Sequence, residues 1–182
     1  MMTDESKRIE IVASSSTVTG GDMALAVALI EEGVLARELM NPLLDRLRVE
    51  RPAAIQNGQT LTLLQLLVSE RIAKLDDLLG IVVERSGLPY LPLSTYDIDR
   101  DVACLLPQGV SFESCLIPFD RISRSVLIAV VNPLDMAIRE QIRELIGCEV
   151  FWYVSSPVDI TSALRRAYGL DKQTGSGAPK AR

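Results

Sequence analysis

Three groups of acidic side chains are the first candidates for chemistry: Glu31-Glu32, Asp76-Asp77, and the alternating Asp97, Asp99 and Asp101. Paired carboxylates exchange protons or hold a hard cation only when their oxygens converge. Neighbours on a helix point in different directions, so the first two pairs diverge. The third set alternates along a loop, but the glycine turn and the roughly six or more oxygen ligands of a calcium loop are missing. Solvated loop carboxylates are the better account.

Nucleophiles fare no better. Cys104, Cys115 and Cys148 are widely spaced in apolar sequence. Without Cys-x-x-Cys spacing they suggest three buried free thiols in a reducing compartment, not a zinc or redox site. The chain has no histidine, which removes His-based triads, imidazole proton transfer and His-metal sites together. No base stands ready to activate a serine or cysteine. Gly175-Ser176-Gly177-Ala178-Pro179-Lys180 imitates a phosphate-cradling loop, but its spacing is wrong and no hydroxyl follows the lysine. It reads as flexible linker. No catalytic constellation, cofactor site or metal site is predicted.

Composition excludes further classes. Over 182 residues the net charge is -5 and aromatics are 4%, which argues against a nucleic-acid binder needing a basic surface and stacking platforms. The longest apolar runs, residues 23–30 and 126–131, fall far short of the ~20 residues a bilayer demands, so no direct membrane insertion is expected. The first run is flanked by Asp22 and Glu31-Glu32, unlike the basic flank of a signal peptide. A cytoplasmic protein is the expectation.

The aromatic run Phe151-Trp152-Tyr153 is the remaining candidate. Strand alternation puts Trp152 with Val150 and Val154 on one face, and Phe151 with Tyr153 on the other. Phe151 and Tyr153 either pack in the core or border a partner surface, where aromatics are enriched.

The elements that would position these residues follow from periodicity. Residues 1–20 are polar, with a short strand conceivable through Ile9, Ile11 and Ala13. Residues 22–86 are helical: Asp22 caps residues 23–32, Gly33 stops them, and a second helix covers about 36–49 with a restart or kink at Asn41-Pro42. Residues 52–60 form a loop, 61–70 a leucine-rich helix, and 75–85 an apolar-striped helix ended by Gly87 and Pro89. Residues 88–114 are a mostly irregular joint with a short helix near 99–105. The period then changes to strands at 116–119 and 126–131 around a polar turn at 120–125. Asn132 caps a helix with Pro133 in its first position, ended by Gly147. A strand at 149–154 follows, and a last helix opens at Ser156-Pro157-Val158-Asp159 and closes at Gly169.

The fold class is therefore α+β, an amino-terminal helical subdomain followed by a small β-β-α-β-α sheet subdomain. The expected divisions are a leader at 1–21, the helical subdomain at 22–87, a joint at 88–113, the sheet subdomain at 114–170, and a disordered tail or linker at 171–182. Residues 126–131 are apolar on both faces, so that strand must be covered on both sides. The long joint suggests that the helices move relative to the sheet half.

The helix stopped by Gly87-Leu88-Pro89-Tyr90, then the strand stopped by Asn132-Pro133-Leu134-Asp135, resembles the amino-terminal domain of type II secretion and type IV pilus assembly ATPases. The ATPase that follows it there is not found here. The resemblance implies a non-catalytic adaptor docking the motor onto its inner-membrane platform, so the protein would sit peripheral to that membrane through its partners. Those partners would be the cytoplasmic domain of a platform protein, an actin-like pilus protein, or the chain's own ATPase domain.

Some members of that family bind cyclic di-GMP through two copies of a motif resembling Arg-Leu-Gly-x-x-[Leu/Val]-[Leu/Val]-x-x-Gly. The first copy keeps Leu25, Leu29, Ile30 and Gly33, but has Ala24 for the arginine and Ala26 for the first glycine. The second keeps Leu63 and Leu67, with Thr62 for the arginine, Leu64 for the first glycine and Arg71 for the second. Without arginines to stack on guanine and pair with phosphate, the sequence argues against this ligand. A sensor with a degenerate motif, or a regulator using the fold in another system, is the alternative.

Overall fold

The computed structural model describes residues 19–171. The strand near Ile9, the linker at 175–180 and most of the leader and tail lie outside the described residues. Four helices come first: α1 (Gly20–Glu31), α2 (Arg37–Gln56), α3 (Leu63–Ser69) and α4 (Leu75–Ser86). Two short helices, α5 (Arg100–Ala103) and α6 (Gln108–Glu113), lead into β1 (Leu116–Ile122) and β2 (Ser125–Val130). The chain then forms α7 (Met136–Ile146), β3 (Glu149–Val154) and α8 (Pro157–Ala167). The expected α+β architecture is present, with β1 antiparallel and β3 parallel to the central β2.

Several boundaries differ from the sequence reading for physical reasons. The N-cap of α1 is Thr19, and Asp22 sits three residues on, reaching back in a capping box. α2 runs through Pro42 and Pro52 to Gln56 as one helix, where a restart or kink at Asn41 and a loop from 52 were expected. Each proline frees one carbonyl, of Glu38 and Arg48, and both residues are exposed to water. Burial of Leu43, Leu44 and Leu47 holds the helix together. Asn132 does not cap α7; Asp135 does, accepting from Ile138 N at 3.1 Å. The strands of the hairpin close to Ser123-Arg124, with Ser123 at φ +54°.

The two faces of β2 organise the packing. Leu127 and Ala129 join a core with Leu25, Leu29, Leu47, Leu67 and Leu78 of the helical half, and with Ile160 and Leu164 of α8. Val126, Ile128 and Val130 join a second core with Ile142 of α7, Trp152 and Leu106. The helices of the second half thus divide, α8 on one face and α7 on the other. The joint is packed rather than loose: Leu93, Ala103, Leu106 and Phe112 are at most 1% exposed.

A core shared in this way predicts cooperative opening. In native-state hydrogen exchange, amides of Leu47 in α2 and Ile128 in β2 should show the same limiting protection. Selective loss at Leu47 would restore the expectation of a mobile helical half.

Candidate functional site

A buried polar seam lies where α1, α2 and the Asn132–Asp135 turn meet. Arg51 Nη1 and Nη2 donate to Asp22 Oδ2 and Oδ1 at 2.9 and 3.0 Å, and Arg51 Nε donates to Leu61 O at 2.9 Å. Asp22 also accepts from Thr19 N and Thr19 Oγ1. The two side chains are 10% and 7% exposed, so each charge depends on the other; removing one partner of such a pair typically costs ~3–5 kcal/mol. Beside them Asn132 Nδ2 donates to Gly21 O at 2.7 Å, and Gly21 N donates to Asp135 Oδ2 at 3.2 Å. Asp135 therefore caps α7 with one oxygen and holds the start of α1 with the other.

These groups line a cavity of about 30 Å³, with Thr62, Glu113 and Cys115 also on its wall. It has room for one or two waters and no more. Burial raises the Glu113 carboxyl above its ordinary pKa, partly offset by the Arg51 cation. Burial pushes the Cys115 thiol up to about 12, so it stays protonated and unreactive at neutral pH. Of the other cysteines, Cys104 is exposed and Cys148 is half-buried, which corrects the expectation of three buried thiols.

The acidic pair at the end of α1, expected to diverge, converges on one cation. Glu31 and Glu32 both pair with Arg85, at 3.0 and 2.7 Å. Asp76 and Asp77 occupy the first turn of α4, and Asp99 caps α5 by accepting from Asp101 N. Among the described residues no three His, Cys, Asp or Glu side chains gather as a metal site would require. No helix among them is long and apolar enough to cross a membrane.

Phe151 and Tyr153 project to the same side of β3 but differ in surroundings. Phe151 is 47% exposed. Tyr153 is half-buried and meets Phe119 edge-on at 5.5 Å between centroids, and Tyr96 meets Phe119 likewise at 5.3 Å. The tandem-motif positions are also placed. Ala26 and Leu64 are fully buried, Thr62 caps α3, and Arg71 holds φ +58°, the left-handed backbone a glycine would take.

Residues 86–174 match the MshEN domain family. The chain carries an MshEN domain. The type IV pilus assembly ATPase PilB of Thermus thermophilus is 30% identical over 155 residues, 84% of this chain and 16% of PilB. The chain thus spans about a sixth of that relative's length. A solved structure of MshE with cdg superposes with a TM-score of 0.53 at 21% identity, covering 79% of this chain and 98% of that one. The N-terminal domain of XpsE gives 0.54 at 19% identity, covering 80% and 94%. The chain therefore has the fold seen in MshE and in the N-terminal domain of XpsE.

The sequence reading missed the seam. Arg51 falls one helical turn after the buried Leu47, on the apolar side of α2, and that placement was the available signal. A Cβ on Gly21 would lie 2.4 Å from Asp135 Cβ, whereas one on Gly20 meets nothing within 4 Å. Gly21→Ala should lower stability to urea by about 1–3 kcal/mol, with Gly20→Ala unharmed. Glu113, with its raised pKa, favours the fold fully while protonated; that contribution is lost as pH rises from the ordinary carboxylate value through the raised one. Glu113→Gln should therefore flatten stability over that window and be slightly stabilising at neutral pH, as read by melts between pH 4 and 8.

Proposed function

We propose that this MshEN domain is a non-catalytic docking module of a type II secretion or type IV pilus assembly motor. The single observation carrying this reading is the kinship over 84% of the chain to a pilus assembly ATPase, of which it spans only 16%. The arrangement of side chains supports it: the buried polar groups are spent on fastening the helices to the sheet, and the exposed aromatic Phe151 stands at the sheet's rim. The partners this implies are the cytoplasmic domain of an inner-membrane platform protein, an actin-like pilus protein, or the motor's own ATPase domain. Such a module would work in the cytoplasm, peripheral to the inner membrane. Phe151 and Tyr153 are proposed to border the contact, Tyr153 as a support for the exposed ring beside it.

A second reading draws on the solved MshE complex, whose ligand, cdg, we take as cyclic di-GMP. Against it stand Ala24 and Thr62 at the arginine places, and the buried Ala26 and Leu64 where glycines would let a ligand approach. Two measurements decide. The tagged chain, used as bait in lysate of its native cell, should enrich secretion or pilus platform proteins by mass spectrometry; their absence overturns the docking role. Calorimetry with cyclic di-GMP at hundreds of micromolar should give no heat, and a saturable signal would favour the sensor instead.

A further inference from the structure

The sheet has two edges, and they are built differently. The β1 edge carries Pro118 and a bulge between Pro118 and Asp120, both of which discourage further pairing. The β3 edge, Glu149-Val150-Phe151-Trp152-Tyr153-Val154, has no proline, lysine or break in register. Ser155 N donates to Val130 O at 3.1 Å, which sets the alternation: Phe151 and Tyr153 turn their backbone groups to β2. Val154 faces away. Its N donates to Pro89 O at 2.9 Å, and its O accepts from Leu91 N at 2.8 Å. The same alternation turns the N–H and C=O of Val150 and Trp152 outward, and no backbone partner meets them among the described residues. Pro89–Leu91 thus pairs with the far end of the edge, parallel to it through Tyr90 and Val154, and the rest is left open.

Side chains beside that open stretch add a second, independent observation. Trp152 is 5% exposed, yet its Nε1 has no acceptor; Arg139 Nε is also buried and without one. The Arg139 guanidinium lies 5.2 Å from the Trp152 ring centroid. Its Nη1 reaches only Pro133 O at 3.4 Å and Met136 Sδ at 3.5 Å, and no carboxylate pairs with it among the described residues. Two unsatisfied donors, one of them cationic, flank the edge on its α7 face, and burying them so is costly until an acceptor arrives. On the opposite face the exposed Phe151 ring offers an apolar contact.

We propose that the β3 edge receives an extended segment of a partner protein, with an acidic side chain meeting the part-exposed Arg139 guanidinium beside Trp152 on the α7 face and an apolar one meeting Phe151 on the other. The charge selects an acidic partner segment over a second copy of this chain. The acidic residue of β3 itself, Glu149, shares the Phe151 face by alternation, so a second β3 would bring no carboxylate to Arg139. The proposal rests on the docking-module reading and says where and by what chemistry the partner is held.

The chain's single tryptophan, Trp152, is the reporter for its test. The probes are the strand peptide acetyl-Thr-Val-Glu-Val-Glu-Val-Thr-amide and its counterpart with lysine for glutamate, titrated to millimolar while fluorescence and amide spectra are followed. The acidic peptide should shift the Val150 and Trp152 amides, slow their exchange, and bind at least about ten-fold tighter than the lysine peptide, a difference of ~1.4 kcal/mol. Val150→Pro removes an outward N–H while sparing the β2 ladder, and should abolish binding. Arg139→Gln should erase the preference for the acidic peptide, and it keeps the test alive should the proline variant fail to fold. Equal affinity for both peptides, or no shift at Val150 and Trp152, overturns the proposal. Folded Val150→Pro or Arg139→Gln protein that captures platform proteins as well as wild type would retire the edge and leave the docking role intact. Wild type that captures none would refute the docking role, and the peptide result would stand by itself.

Discussion

A strand that is apolar on both faces cannot exist alone in water, and β2 is such a strand. Val126 through Val130 are each at most 8% exposed. Burying a side chain of this kind contributes about 1.5–3 kcal/mol, which is available only if a layer covers each face. The rest of the molecule is arranged to meet that condition. The four amino-terminal helices and α8 supply one layer, α7 supplies the other, and β1 and β3 flank the strand within the sheet. The segment between helices and sheet is therefore itself part of the core, with Leu93 and Phe112 buried in the interior.

Apolar layers can slide, so a non-directional core does not by itself fix how the helices sit on the sheet. The polar seam supplies direction. Asp22 closes the cap of α1 and receives Arg51 with both oxygens, while Asn132 and Asp135 grip the backbone of Gly21. Each bond needs one alignment of α1, α2 and the turn after β2, and a buried charge left without its partner would be costly. The close approach at Gly21, which leaves no space for a Cβ, fixes the same alignment sterically.

The amino-terminal helices keep the leucines of the tandem motif while lacking its arginines, and packing explains why. Leu25, Leu29, Leu63 and Leu67 are all at most 1% exposed, so core packing alone accounts for them. Arg71 keeps the left-handed backbone of the missing glycine, which the turn after α3 demands.

The sequence by itself determined the kinds of elements and several of their ends. Gly33, Gly87, Gly147 and Gly169 all take positive φ at the stops read from the sequence, because these are local backbone requirements that only neighbouring residues set. The mixed β-β-α-β-α order and the two-sided burial of β2 were legible for the same reason, through period and hydrophobicity. Only the tertiary structure decided where α2 ends, since burial of Leu43, Leu44 and Leu47 outweighs the bonds lost at two prolines. It also decided that α7 and α8 take opposite faces, that Asn132 and Asp135 hold the backbone of Gly21, and that Arg51 finds Asp22 across 29 residues. Such pairings join positions distant in sequence, and local periodicity carries no information about which distant groups will meet.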